Sequence, residues 1–432
     1  MKVKIDEIAS EIEQKVINYR RDFHKYPETG WIEFRTASKV AGILAKLGYE
    51  LKMGKEVISK EDRMGLPSEK IFKKEFERAK DQGADLKYID NFEGGFTGLV
   101  GILKNGPGPT IAFRFDIDGV DVSETNNRDH QPVEEGFKSK NEGAMHACGH
   151  DGHTAIGLGL AEVLMKIKDE FSGTIKLIFQ PAEEGVRGAR SMAKAGVVED
   201  VDYLIGLHLG LGVDNSEVYA GTKGFLATSK FDAYFDGEPA HAGAQPELGN
   251  NALLAAANAV SNLYAISRHS QGVTRINVGK LNAGSGRNVI PAKAHLVIET
   301  RGETSELNNY MYNQAQKVLK NSTQMYDVDF ELKSMGGAES GKSDPELQNR
   351  IKSTADKLTD FNKVYEETAT LGGSEDFTYF MKDVQKNGGL ATFIILGTKL
   401  KGAHHKANFD FDERSLVKGV KLLSNLVLDL SK

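Results

Sequence analysis

The sequence predicts an α/β fold: a mixed sheet with helices on both faces, carrying a smaller inserted α+β domain. Three observations predict it. Continuous apolar runs such as Gly173–Gln180 read as strands covered on both faces, because a strand with one wet face would alternate. Between residues 97 and 210 such runs alternate with amphipathic helical patterns. From about Phe225 the order becomes β-α-β-β-α-β, that of a split βαβ unit.

The elements follow in order. Residues 6–25 form a helix in which Ile8, Ile12, Val16 and Tyr19 recur at helical spacing, and Pro27 stops it. A second helix spans 34–47, closed by Gly48. Residues 55–95 are charged and broken by Gly65-Leu66-Pro67, with Phe72, Phe76 and Ala79 on one face. They predict a solvated helical excursion on the surface, without chemistry of its own. An apolar run at 97–103 and the turn Gly106-Pro107-Gly108-Pro109 lead to a strand at 110–118 that ends in Asp116 and Asp118. A helix carrying Ile156, Leu160, Val163, Leu164 and Ile167 on one face comes next. The strand at 173–180 runs into Glu183-Glu184, and a strand at 202–208 ends in His208. The inserted domain has strands at 226–235, 274–282, 292–301 and 328–332, with helices at 250–267 and 305–320. The chain then returns with a helix at 345–358, the turn Leu371-Gly372-Gly373-Ser374, a strand at 391–396, His404-His405, Asp410 and a final helix.

Bulk properties exclude several classes. The 432 residues are 40% hydrophobic and 27% charged, ordinary for a globular chain. The net charge of −6, from 55 basic and 61 acidic side chains, gives no footprint for nucleic acid. A lone cysteine makes no internal disulfide, which fits a reducing cytoplasm. The N-terminus enters an acidic helical pattern with no apolar leader, so no signal peptide is expected, and no run suits a membrane helix. No phosphate-cradling G-x-x-x-x-G-K-[ST] pattern occurs.

Three strands end in ionisable residues, and in open α/β sheets that rim is where sites are built. The richest stretch is Met145-His146-Ala147-Cys148-Gly149-His150-Asp151-Gly152-His153, with three histidines, the only cysteine and an aspartate. Thiolate, imidazole and carboxylate are ligands that Zn²⁺, Mn²⁺ or Co²⁺ accepts. Candidate ligands are Cys148, His150, Glu184, His208 and His405. Five ligands around one cysteine suit two metals that share the thiolate and a water, an arrangement that acidifies the water and polarises a carbonyl. On an extended segment the side chains of Glu183 and Glu184 point opposite ways, so Glu184 can ligate while Glu183 faces the water as general base. Asp116 can orient a ligand histidine or simply terminate its strand. His146 and His153 read as supporting residues; His24, His130, His269 and His295 read as surface or packing histidines. In the inserted domain, His241, Asn288 and Arg301 could clamp a carboxylate and an oxyanion.

Arg20-Arg21-Asp22-Phe23-His24, the Cys148-Gly149-His150 stretch, Gln180-Pro181-Ala182-Glu183-Glu184-Gly185, Ala240-His241-Ala242-Gly243 and Asn288-Val289-Ile290-Pro291 together resemble the M20 metallopeptidase family. The similarity covers essentially the whole chain, and the branch it resembles comprises amidohydrolases of N-acyl and N-aryl amino acids. It implies a metallohydrolase catalytic domain at 1–224 and 336–432 and a ferredoxin-like lid and dimerisation domain at 225–335. It implies Cys148 as bridging ligand, with His150, Glu184, His208 and His405 completing sites for two divalent ions, manganese, zinc or cobalt. Counting back from Phe409-Asp410-Phe411-Asp412-Glu413 puts His405, not His404, in the ligand position. Glu183 matches the general base, and His241 would join the metals in stabilising the oxyanion. His241 and Asn288 match lid residues that reach the partner's site in family dimers, and Arg301 and Ser374 match positions near the substrate carboxylate.

The implied reaction is hydrolysis of p-aminobenzoyl-glutamate to p-aminobenzoate and glutamate by two-metal-activated water. The alternatives are hydrolysis of an indoleacetyl-, benzoyl- or acetyl-amino acid, and a non-catalytic ligand-binding component of a heteromer. The implied partners are that small molecule and a second copy or a related B subunit. Two departures stand out. Arg114-Phe115-Asp116 replaces the His-x-Asp of many members, which removes a usual ligand for which His150 substitutes. Lys406-Ala407-Asn408 stands where many members of the branch have proline.

Overall fold

The computed structural model describes residues 2–366 and 369–432; Met1, where the reading of the N-terminus begins, lies outside them. The chain divides into two compact units: residues 1–223, 342–371 and 379–432 form the first, and 224–341 with 372–378 form the second. No described helix is long and apolar enough to cross a membrane.

In the first unit the chain runs α1 (Lys2–Lys25), α2 (Phe34–Leu47), β1 (Glu50–Met53), α3 (Glu69–Asp81), β2 (Leu99–Asn105), β3 (Thr110–Asp116), α4 (His150–Lys166), β4 (Gly173–Gln180), α5 (Gly188–Lys194), β5 (Tyr203–Leu209) and β6 (Glu217–Tyr219). The second unit holds β7 (Ala227–Asp236), α6 (Ala252–Tyr264), β8 (Thr274–Ala283), β9 (Lys293–Gly302), α7 (Ser305–Gln324) and β10 (Asp329–Ala338). The chain then continues through α8 (Pro345–Ala355), β11 (Lys363–Tyr365), α9 (Phe377–Lys386), β12 (Leu390–Leu396) and α10 (Arg414–Leu430).

The first unit's sheet has the order β1-β2-β4-β3-β5-β12-β6-β11. β4, β3, β5 and β12 are parallel neighbours, while β1, β2 and β6 pair antiparallel with their neighbours toward the centre. The central strands are buried along nearly their whole length, so both faces are covered, as their continuous apolar runs require. Helices α1, α4 and α10 pack on one another, and α4 packs on β3. Register fixes the rim: Asp116 pairs with Gln180, Arg114 with Gly206, and His208 with Ile395. The last residues of β3, β4 and β5 therefore share one edge of one sheet.

The excursion at 55–95 is less solvated than its charge suggests. Ala79, Ile89 and Phe92 are buried in the main core, and the Phe34 ring meets Phe72 and Phe76 edge-on. Its charged residues cover the outer side of a helix whose apolar face packs on α2. Gly48 closes α2 with φ 91°, and its N–H caps the last turn, a conformation that costs glycine little. The three short strands β1, β6 and β11 carry too few residues for a period to declare itself.

The second unit is a four-stranded antiparallel sheet, order β10-β7-β9-β8. Alternate residues of β9 are buried, so one face of the sheet packs and the other stays wet. Phe231, Phe235, Leu296 and Ile298 meet α6 and α7 through Ala255, Ala259, Met311 and Leu319. Asn251 and Thr304 cap the two helices, each accepting a backbone N–H three residues on.

Candidate active site

The site grows from the start of α4. Gly149 holds φ 95° before the helix begins at His150, which leaves Cys148 on the turn ahead of the helix. The segment before it is pinned by a two-way backbone pair between Val120 and Met145. The last loop is tied on by the His405 N–H, which donates to Ala147 O at 2.8 Å. His405 itself has φ 63°, so the loop that lacks the family's proline turns through a left-handed residue.

The candidate ligands come together on that rim. Cys148, Glu184 and His405 form one cluster of ligand atoms, Cys148, His208 and His404 a second, and His150, Glu183 and Glu184 a third. Cys148 is common to the first two and Glu184 links to the third. His405 Nε2 lies 3.2 Å from Glu184 Oε2. His150 Nε2 lies 3.7 Å from Glu184 Oε1 and 3.8 Å from Glu183 Oε2.

Hydrogen bonds set which ring nitrogens are free to ligate. His208 Nδ1 donates to Leu209 O at 2.8 Å, which leaves the Nε2 lone pair 3.4 Å from Cys148 Sγ. His150 Nδ1 lies 3.0 Å from Asp118 O and 3.2 Å from Asp118 Oδ1; it donates there, and Nε2 has no hydrogen-bond partner although buried. Glu184 Oε1 is likewise buried without a partner. Buried polar atoms are normally satisfied, and a histidine whose far N–H is held by a carbonyl or carboxylate is the usual posture of a metal ligand. Two such atoms facing one another across 3.7 Å fit a cation between them.

The electrostatics agree. Burial and the Glu184 charge push the Cys148 thiol well above its usual range, a penalty that a divalent cation would reverse. Burial, with His153 and His404 nearby, holds His208 well below the imidazole range and so neutral. Burial also opposes a charged His150, but the Asp116 carboxylate and the Asp118 hydrogen bond outweigh it and raise its pKa, so a cation at Nε2 would take the place of a proton there.

Two expectations change here. Glu183 and Glu184 do not sit on an extended segment. Residues 183–186 turn, with φ 55° at Ala182 and 53° at Val186, and both carboxylates face the same histidine nitrogen. A β-branched residue at positive φ is strained by roughly 1–3 kcal/mol. Tertiary bonds hold the turn: Ala182 N–H donates to Glu33 at 2.8 Å and Glu184 N–H to Asp118 at 3.0 Å. The second change concerns Asp116. It binds His153 Nδ1 at 2.6 Å and the Arg114 guanidinium at 2.6 Å, while Asp118 is the carboxylate that holds His150. His153 Nε2 also accepts the Leu209 N–H, so both its nitrogens are used. Arg114, the departure from His-x-Asp, is fully buried and anchors Asp116 and Gln180.

Sequence reasoning missed the layer behind the ligands. Arg20 is completely buried and donates to Asp151, Asp410 and Glu413 at 2.8, 2.7 and 3.2 Å. His24 is no ordinary packing histidine: it bridges Asp151 at 2.8 Å and Glu124 at 3.0 Å, and His130 reaches the same Glu124 at 2.9 Å. The signal was the four-residue spacing of Arg20 and His24, which stacks them on one helical face. His269 and His295 lie in the second unit and are both half-buried.

Four expected site residues belong to the second unit. His241 is exposed, and its Nδ1 accepts the N–H groups of Gly243 and Ala244, which leaves its proton on Nε2. Asn288 lies beside it, its carbonyl accepting the Ala242 N–H. Arg301, on β9, pairs with Glu299. Ser374 Oγ donates to Leu226 O at 2.7 Å. In the first unit a concavity of about 550 Å³ opens beside His404, lined by Leu211, Val213, Tyr219, Ile395 and Leu400, with no charged side chain among the described residues that line it.

Residues 112–429 match peptidase family M20/M25/M40. The chain is 49% identical over 426 residues to the A subunit of p-aminobenzoyl-glutamate hydrolase from Escherichia coli, covering 98% of both chains. It is 48% identical, with the same coverage, to indole-3-acetyl-aspartic acid hydrolase of Enterobacter agglomerans. The crystal structure of an aminobenzoyl-glutamate utilization protein from Klebsiella pneumoniae superposes with a TM-score of 0.85 at 42% identity, over 98% of each chain. The chain thus belongs to peptidase family M20/M25/M40, and its chemistry is that of a metal-dependent amidohydrolase.

Proposed function

We propose that the chain hydrolyses the amide between an aromatic acyl group and an acidic amino acid, with p-aminobenzoyl-glutamate as substrate and p-aminobenzoate and glutamate as products. The observation that carries the reading is the set of unsatisfied buried atoms facing one another at His150 and Glu184, beside a sulfur shared by two ligand groups. Cys148, His150, Glu184, His208 and His405 would hold two divalent ions, with manganese, zinc and cobalt all suited to these donors. Such a pair, when bound, acidifies water and polarises the amide carbonyl.

The chain's own residues do the rest. Glu183 takes the proton from the attacking water and returns it to the leaving nitrogen. Asp118 orients both His150 and the Glu183-Glu184 turn, and Asp116 with Arg114 fixes His153. The uncharged concavity beside His404 suits an aromatic ring better than a dicarboxylate. The second unit, whose strand and helix order is ferredoxin-like, serves as lid and dimerisation domain. Within it His241 would stabilise the oxyanion, and Asn288, Arg301 and Ser374 would hold the substrate's carboxylates. The working assembly is a homodimer or a heteromer with a related B subunit, in the cytoplasm.

A second reading has its own support: indole-3-acetyl-aspartate, because identity to a hydrolase of that compound is within one percentage point of the first. The test is a substrate panel on the manganese-loaded chain, comparing p-aminobenzoyl-glutamate, indole-3-acetyl-aspartate, hippurate and acetyl-glutamate. A preference for the acetyl compound would overturn the aromatic reading, and no turnover of any would leave the non-catalytic alternative standing.

A further inference from the structure

Two histidines flank the Cys148 sulfur, and their hydrogen bonds give them opposite character. His208 donates its Nδ1–H to the Leu209 carbonyl, so it presents a lone pair from Nε2, 3.4 Å from Sγ. His404 is reversed. Its Nε2 accepts the Leu211 N–H at 3.3 Å. A backbone N–H can only donate, so Nε2 carries the lone pair and the proton of the neutral ring lies on Nδ1. That Nδ1 lies 3.7 Å from Cys148 Sγ.

The loop is shaped to hold this orientation. Gly210 has φ 80° and Leu211 φ 49°, which turns the Leu211 N–H toward the ring. A Cβ on Gly210 would stand 3.2 Å from His404 Nε2 and 3.0 Å from Leu400, tight contacts that together with the positive φ favour glycine here. The ring is further held by Phe409, at 5.0 Å between centroids, and by the edge of His208 at 5.3 Å.

We propose that His404 is a positioning residue, not a metal ligand: it donates its Nδ1–H to the Cys148 thiolate, while its neighbour His405 supplies the last ligand. A nitrogen that carries a proton has no lone pair for a metal, but it can offset the charge of a sulfur shared between two ions. Hydrogen bonds to a ligating sulfur weaken its donation to the metal, one of the recognised ways a protein tunes such sites. His405 instead turns its Nε2 to Glu184 Oε2 at 3.2 Å, within the cluster that includes Cys148, where a divalent ion would take the place of the proton that the imidazole donates to the carboxylate.

The inference rests on the two-metal reading above, and its test needs no substrate. The full-length chain would be loaded with Co²⁺, its metal content measured, and the sulfur-to-cobalt charge-transfer band recorded. His404→Ala is expected to keep two cobalt ions per chain while the band moves to longer wavelength. His404→Asn, whose amide N–H can take the place of Nδ1–H, is expected to return the band toward its original position. His405→Ala is expected to lose one ion. Circular dichroism of each variant would establish that it is folded. Loss of an ion in His404→Ala with both retained in His405→Ala would overturn the assignment, as would an unmoved band in His404→Ala. Wild-type chain that binds fewer than two ions would instead overturn the two-metal reading itself, and this inference with it.

Discussion

Asp118 is the carboxylate on which the geometry of the ligands depends, and Asp118→Asn tests that dependence. One oxygen accepts from His150 Nδ1 and the other from the Glu184 N–H, at 3.2 and 3.0 Å. Asparagine keeps one acceptor and turns the other into a donor that opposes an N–H. One hydrogen bond to a charged group is therefore lost, worth about 1.5–3 kcal/mol. His150 retains the backbone carbonyl of residue 118 at 3.0 Å, so the imidazole is loosened rather than released. Converted to affinity, the loss corresponds to metal binding weaker by roughly 10–150-fold, which overlaps the 10–100-fold range for a removed supporting partner. The measurement is competition for Zn²⁺ or Mn²⁺ against a chromogenic chelator, with far-UV circular dichroism as a control for folding. An affinity within about twofold of wild type, a difference near 0.4 kcal/mol, would refute the argument that Asp118 positions these ligands.

Glu183→Ala should lower kcat by about 10²–10⁴-fold with metal content unchanged; loss of metal along with activity would make Glu183 a ligand instead of a base. Arg20→Met should destabilise the first unit by about 3–5 kcal/mol in thermal or denaturant unfolding, because three carboxylates lose a fully buried cation. Burial acts to raise the Glu124 pKa, but the hydrogen bonds from His130 and His24 outweigh it and bring it down to about 2. Its contribution is therefore present above the unfolded value near 4.5 and fades as pH falls toward 2, a loss of about 3 kcal/mol that Glu124→Gln should abolish in an acid-unfolding series. Val213→Trp, which fills the concavity beside His404, should raise KM for aromatic acyl substrates more than for acetyl-glutamate, as steady-state kinetics would reveal.

Much of the frame was legible because burial writes itself into composition. β3, β4 and β5 are buried on both faces, so their runs are continuously apolar, and the ionisable residues that follow them mark the rim. Cys148, His150, Glu184 and His208 could be collected from strand ends and one dense cluster for the same reason, whereas the choice of His405 over His404 came from the family resemblance. What stayed hidden depends on contacts distant in sequence. The turn at Ala182 and Val186 is imposed by Glu33 and Asp118, and nothing local in Pro181-Ala182-Glu183-Glu184 calls for positive φ. Asp116 and Asp118 are two residues apart, and only the fold decides which of them serves His150 and which serves His153. The three carboxylates that pair with Arg20 lie more than 130 residues away, so the four-residue spacing from His24 marks a shared helical face but not the charges that bury it. The short strands β1, β6 and β11 form because the sheet offers them an edge, not because their residues demand it.

The single cysteine of the chain is buried at the point common to two ligand groups. This makes the chain's whole sulfhydryl chemistry a report on one atom. A thiol reagent that labels the protein can label only Cys148, so the rate of labelling reports on that one sulfur, free of background from other thiols. The same arithmetic makes the enzyme vulnerable: a single oxidation to sulfenate would alter the one donor both clusters share, and recovery would require a reductant able to reach a nearly inaccessible sulfur.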